Sequence, residues 1–140
     1  MKKSTEELLK TLKHTPDVNT FLTEEQDNFH HLPLHTCLEQ LLTQKNISPG
    51  ECIRKSGLDR TYCYQILSGK KLPSRNKVLA LCFGLDLNFK EVQTLLKSTG
   101  YPPLYPRKER DSIIIFALHR NMSMVDLNEI LFDAGHETLD

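Results

Sequence analysis

Apolar residues recur at intervals of three and four along most of this chain, which is the spacing of a helical face. An N-terminal helix is predicted where Ser4 and Glu7 form a capping box ahead of a leucine stripe. Pro16 and Thr23 mark the starts of two further short helical segments, which end before Pro33. No segment alternates apolar and polar residues with the two-residue period of a strand. The pattern therefore predicts an all-α fold.

The helical period continues to the C-terminus. Apolar spacing, N-cap residues and closing glycines predict helices over residues 34–45, from Ser48–Pro49 to the glycine at 57, and over 60–68, 74–85, 88–100, 108–120 and 123–134. The intervening segment Tyr101–Pro106 cannot be helical throughout, because its prolines lack the N–H donors of a helix. It is either a linker or an ordered connector. Its two tyrosines, its leucine and its lack of glycine favour an ordered segment that packs on the core.

A tight turn in the middle of the chain separates two short amphipathic segments. Gly57 and Leu58 make the turn. Asp59 is a favourable N-cap for the second segment, and Gly69 stands where that segment should end. Two short helices joined by a glycine turn, the second polar and cationic, are typical of a helix-turn-helix. One face of the second helix is then free to enter a DNA groove.

These residues resemble those of a known family. The stretch from Gly57 to Ser74 matches the turn, recognition helix, Gly-Lys and Pro-Ser of lambda-repressor-like, Xre-type helix-turn-helix domains. Leu81 to Leu87 resembles the LAxALGV segment of that family, so the resemblance covers residues 34–92. The whole chain is also similar to a bacterial Xre-type subgroup with an N-terminal ELL…L helix and a C-terminal tail, which here runs from Leu104 to Leu118.

The resemblance implies a lambda-repressor-like bundle with flanking helices, in a transcriptional regulator that binds double-stranded DNA. We expect an N-terminal extension (1–33), a DNA-binding domain (34–100) and a C-terminal helical pair packed on it (101–140). The alternative is a protein-interaction adaptor that keeps the fold without reading DNA. Departures from the family pattern that favour this alternative are Pro49, Ile53 and Leu67.

The net charge of the chain is zero, but the charges are unevenly distributed. Residues 45–77 carry eight Lys and Arg against two acids, a net charge of +6, whereas residues 1–44 and 78–140 each carry −3. The simplest interpretation is a solvated face with unrelated acidic flanks. Because the cations coincide with the helix-turn-helix, attraction to DNA phosphates is the interpretation we favour.

The predicted recognition helix has a free outer face if Leu58, Cys63 and Ile66 point inward. The residue types on that face suit the major groove, where arginine can pair with guanine, glutamine with adenine, and threonine or tyrosine with the thymine methyl. We expect Tyr62 to be buried against the preceding helix. The candidate base-reading residues are Arg60, Thr61, Tyr64 and Gln65. The candidate phosphate contacts, mostly where related domains approach the DNA backbone, are Arg54, Lys70, Lys71 and Arg75.

Other chemistry has weaker support. Histidines and a cysteine cluster between residues 30 and 37, but Pro33 interrupts the helix that would align them, and no second ligand pair follows. Ser68–Lys71 lacks the earlier glycine of a phosphate-binding loop. The four cysteines are widely spaced, and we expect them to be reduced in a cytoplasmic protein. We expect no metal, no cofactor, no enzymatic activity, no signal peptide and no membrane span.

The helix predicted over 108–120 has an apolar surface broader than one stripe. That surface either covers the core of the helix-turn-helix or forms a homodimer contact. Single modules of this family have small interfaces, so useful specificity generally needs two half-sites. The candidate partners besides DNA are therefore a second copy, bound through the C-terminal helices, and another protein. The broad surface comprises Ile113, Ile114, Phe116 and Leu118.

Overall fold

The computed structural model describes residues 4–15, 17–18 and 31–140. Every regular element within these residues is an α helix, so the predicted all-α class is confirmed. The chain divides into two compact units, residues 1–31 and 32–140, which are described separately.

The described part of the first unit is a single helix, α1, over Thr5–His14. Ser4 caps it, since the serine Oγ accepts a hydrogen bond from the Glu7 N–H at 3.1 Å. The leucine stripe is not buried within this helix: Leu9 and Leu12 are exposed. The segments predicted to start at Pro16 and Thr23 lie outside the described residues.

The second unit contains the remaining helices of the described chain. Their bounds agree with the predicted ones to within one or two residues, which is the usual precision of helix ends. They are α2 (Leu34–Lys45), α3 (Pro49–Ser56), α4 (Arg60–Leu67), α5 (Arg75–Gly84), α6 (Phe89–Ser98), α7 (Glu109–His119) and α8 (Met124–Asp133).

Helix α5 lies at the centre of this unit. It has no solvent-facing side after its first turn, because every residue from Val78 to Leu85 is buried. It packs on α3 at very short range: a Cβ atom added to Gly84 would lie 2.3 Å from the Cys52 carbonyl oxygen. Glycine at this position is therefore what allows the two helix backbones to approach.

One hydrophobic core extends from α2 to the C-terminal residues. Leu104 of the connector, Ile114 of α7 and Leu127 of α8 belong to the same buried cluster as Ile66 of α4. The broad apolar surface of α7 is divided. Its residues Ile114 and Leu118 are buried, Ile113 is partly buried against the core, and Phe116 is 46% exposed. Most of the α7 surface thus covers the core.

The connector Tyr101–Pro106 is ordered and packed on the core, as predicted. Leu104 is 2% exposed. Its backbone is held at both ends by the Gln93 side chain, which accepts from the Leu104 N–H at 2.7 Å and donates to the Leu104 carbonyl at 2.9 Å. The Tyr101 hydroxyl donates to the Pro73 carbonyl at 2.6 Å. The connector therefore supports the loop between α4 and α5.

Candidate nucleic-acid interface

The turn between α3 and α4 is closed by local hydrogen bonds. Gly57 adopts φ +71°, a conformation that other residues rarely adopt. The Asp59 carboxylate accepts from the Tyr62 N–H at 2.9 Å and so caps α4, as predicted. The buried Ser56 Oγ donates to the Ile53 carbonyl at 2.7 Å and accepts from the Leu58 N–H at 3.3 Å. Ser56 was not among the predicted site residues, although its position just before a glycine turn was a signal for it.

Helix α4 has a clear inner face. Cys63 and Ile66 are completely or almost completely buried, and Leu58 packs partly buried against the same core. Tyr62 is also partly buried and packs on the core, which agrees with its predicted inward position. The helix is therefore oriented as the apolar period predicted.

The outer face of α4 carries the candidate base-reading residues. Arg60, Thr61 and Tyr64 are exposed, and Gln65 is partly exposed. The Arg60 guanidinium carbon lies 5.6 Å from the centroid of the Tyr64 ring, one turn along the helix. This cation–π contact restricts both side chains before any partner binds. Together the four residues form one polar surface of mixed donors, acceptors and an aromatic ring.

The loop after α4 presents two lysines at the end of that surface. Gly69 adopts φ +84°, and the N–H groups of Lys70 and Lys71 both donate to the Gln65 carbonyl, at 2.9 and 3.1 Å. A Cβ atom on Gly69 would lie 3.0 Å from the His35 ring of α2. The loop backbone is therefore held close to α2 while both lysine side chains remain exposed.

The cations of residues 45–77 fall into two groups. Three of the eight form ion pairs with carboxylates outside the segment: Lys45 with Glu91 at 2.8 Å, Lys55 with Asp86 at 2.9 Å and Arg75 with Asp111 at 3.0 Å. Lys55 also lies 3.5 Å from Glu51. The rest form no ion pair with any residue that the structure describes. This second group, which we call the unpaired cations, comprises Arg54, Arg60, Lys70, Lys71 and Lys77.

Arg75 has a different role from the predicted phosphate contact. Its guanidinium donates to both carboxylate oxygens of Asp111, at 3.2 and 3.0 Å, and to the carbonyls of Pro102 and Pro103, at 2.8 and 3.0 Å. These bonds use all but one of the N–H donors of the arginine side chain. In the structure Arg75 therefore belongs to the scaffold, where it joins the start of α5 to the connector and α7.

Asp111 is the buried partner in this network, at 3% exposure. Burial by itself would raise the pKa of the Asp111 carboxyl. The hydrogen bonds from Arg75 and from the Tyr105 N–H, at 2.9 Å, outweigh burial and hold this pKa below its ordinary value. The ionised carboxylate is thus stabilised by the fold.

Other kinds of site receive no support from the described part of the chain. No three His, Cys, Asp or Glu side chains among residues 4–15, 17–18 and 31–140 are arranged to hold a metal ion. Over the same ranges, no helix combines the length and the apolar character needed to cross a bilayer. All four cysteines are free thiols.

No protein-family model matches this chain, no curated protein matches it, and no solved structure matches it.

Proposed function

We propose that this protein is a sequence-specific DNA-binding transcriptional regulator, with a lambda-repressor-like helix-turn-helix formed by α3 and α4. The observation that carries the proposal is the outer face of α4. Its polar residues are exposed or partly exposed and are bordered by cations that no carboxylate of the described chain neutralises.

The chemistry of α4 supports base reading. An arginine can donate two hydrogen bonds to guanine O6 and N7, and a glutamine can pair with adenine N6 and N7 in the major groove. Helical geometry places Arg60 and Gln65 at the two edges of the outer face of α4, and Thr61 and Tyr64, which lie between them, add a methyl group and a ring for the thymine methyl. The contact between Arg60 and Tyr64 preorganises this surface. We assign base reading to these four residues.

The charge distribution supports phosphate binding around that face. The ion pairs to Glu91, Asp86 and Asp111 remove three cations from the count, so the effective positive surface is smaller than the sequence alone suggests. The phosphate contacts that we propose are Arg54, Lys70, Lys71 and Lys77. If about four phosphates are neutralised for each copy, log K should fall with log salt with a slope of about −3.6.

A protein-interaction adaptor is the second candidate, favoured by the zero net charge and by an exposed apolar face on α8. The sequence departures support it less than expected. Ile53 is 5% exposed and Leu67 is partly buried, so both serve packing. Pro49 is the first residue of α3, where its missing N–H has no intrahelical partner to lose. These residues are therefore compatible with either function.

The test of the proposed function is selection from a random-sequence duplex library, followed by anisotropy measurements on recovered duplexes at several salt concentrations. We expect an enriched motif and a salt slope near the value given above. Weak binding at low salt with no enriched motif would contradict the regulator and favour the adaptor.

The double substitution Arg60→Ala, Gln65→Ala should remove the preference for the enriched motif and leave the salt-dependent background. Each well-formed bidentate base contact contributes about 1–3 kcal/mol, so we expect discrimination to fall by roughly 30-fold to 10⁴-fold. Anisotropy with the selected duplex and with a scrambled duplex measures this difference.

Two lysine pairs provide the controls. Lys70→Gln, Lys71→Gln should weaken binding to both duplexes equally and make the salt slope about 1.8 less steep. Lys90→Gln, Lys97→Gln removes the same charge from exposed positions on α6, away from α4. Equal losses from the two pairs would show that net charge, and not the proposed surface, determines binding.

A further inference from the structure

The last helix has an apolar ridge on its solvent side. Met124, Leu127 and Leu131 form the buried face of α8. On a solvent-facing flank of the helix, Val125 and Phe132 are each 75% exposed. They are seven residues apart, or about two turns, and therefore lie above one another at a separation of about 10.5 Å along the axis. We call this pair the α8 ridge.

A row of carboxylates runs beside the α8 ridge. Helical geometry, with about 100° between successive residues, places all three members on the same flank of the ridge. All three are exposed, and none forms an ion pair or a side-chain hydrogen bond with a residue of the described chain. The row comprises Asp126, Glu129 and Asp133. A partner that covers the ridge must therefore bring cations to this flank.

An antiparallel pairing of two α8 helices from two copies of this chain does not meet that requirement. In an antiparallel pair of α8 helices, Val125 of each copy would meet Phe132 of the other. The twofold axis of such a pair places both carboxylate rows on the same side of the seam, where six like charges face each other. Opposed like charges across an interface are unfavourable. The homodimer expected through the C-terminal helices is therefore disfavoured on this face.

We propose that the outer face of α8 is a docking surface for a cationic amphipathic helix of another protein. The apolar stripe of that helix would cover Val125 and Phe132, and its Lys or Arg residues would lie against the carboxylate row. Exposed large apolar residues in a row rimmed by charge are typical of protein-interaction sites. The surface lies on a different helix from the candidate base-reading face of α4, although Val125 borders a surface hollow that Arg54 and Lys55 of α3 also line.

The probe for this surface is a synthetic helical peptide of about 18 residues, long enough to be helical in water. It has leucine at every third or fourth position and lysine on both flanks. The peptide is titrated into isotope-labelled protein, and its binding is monitored through the amide chemical shifts of the protein. We expect saturable shifts confined to α8 and the residues packed against it, and no shifts with a peptide in which every lysine is replaced by glutamate.

Matched variants distinguish binding at this site from non-specific hydrophobic binding. Val125→Ser, Phe132→Ser should weaken the binding of the lysine peptide by about tenfold or more, because the two apolar side chains that the peptide would cover are lost. Leu72→Ser removes an equally exposed apolar side chain from the α4–α5 loop, 79% exposed, and should leave the affinity unchanged. The amide spectrum of each variant verifies that its fold is intact.

Three results would overturn the proposal. The first is the absence of saturable shifts on α8 at millimolar lysine peptide. The second is equal affinity of the Val125→Ser, Phe132→Ser variant and the unsubstituted protein. The third is a change of the α8 shifts on dilution of the protein alone, which would assign this face to a second copy.

Discussion

Alanine at position 84 is expected to destabilise the second unit severely. The added Cβ would lie 2.3 Å from the Cys52 carbonyl oxygen, and because that atom belongs to the α3 backbone it cannot move aside as a side chain can. The two helices must separate in the centre of the core. Overpacking commonly costs about 1–3 kcal/mol, and we expect Gly84→Ala to cost about 3 kcal/mol or more. Urea unfolding followed by circular dichroism measures this loss.

Gly50 provides the matched control. It lies within α3, the helix that Gly84 of α5 approaches, but a Cβ at Gly50 meets nothing within 4 Å. Gly50→Ala should therefore leave stability unchanged or raise it by about 0.4–1 kcal/mol, because the unfolded chain loses freedom. If both substitutions had the same unfolding midpoint, the close approach of α3 and α5 would not exist in solution.

Removal of the Asp111 carboxylate is the second substitution with a large expected effect. Asp111→Ala would leave the Arg75 guanidinium, whose side chain is 22% exposed, without its ionic partner. It would also remove the acceptor for the Tyr105 N–H. Breaking a buried pair by removing one partner costs about 3–5 kcal/mol, and the partial exposure of Arg75 places our expectation near the lower value. Asp133→Ala, which removes an exposed carboxylate of α8, is the control and should change stability by less than about 0.5 kcal/mol.

The same network predicts a response to acid. Because the folded-state pKa of Asp111 is below its ordinary value of 3.8, its contribution to stability is complete above that value. The contribution disappears as the pH falls through the lower folded-state pKa. The unfolding free energy of the unsubstituted protein should therefore fall below pH 3.8 more steeply than that of Asp111→Asn, which lacks the titrating group. Parallel curves for the two proteins would contradict the assignment.

The parts of the fold that depend on neighbouring residues could be predicted from the sequence. Asp59 caps α4, and the capping box of Asn88 and Glu91 starts α6, because both signals act within three or four residues. The inner and outer faces of α4 likewise follow from the helical period, which correctly separated Cys63 and Ile66 from Tyr64.

The parts that depend on residues distant in sequence could not be predicted. Arg75 was predicted to contact phosphate, and its ion pair with Asp111 was not foreseen. Asp111 lies 36 positions later, on a helix whose packing the local pattern does not determine. The neutralisation of Lys45 by Glu91, 46 positions away, was missed for the same reason. Gly84 fell within the helix predicted over 74–85, but the contact that makes glycine necessary there involves a different helix.

The three short helices around the turn each contain one buried sulfur atom. Cys52 lies on α3, Cys63 on α4 and Cys82 on α5, and burial raises the pKa of each thiol, to about 12 for Cys52. Since thiolates and not thiols react with alkylating agents, these side chains are protected while the helices are packed. Alkylation of a protein that retains only one of these three thiols, and in which the partly exposed Cys37 is also replaced, would report how often that helix opens. The molecule therefore contains its own probes of local opening, one for each helix of the proposed DNA-binding motif and its support.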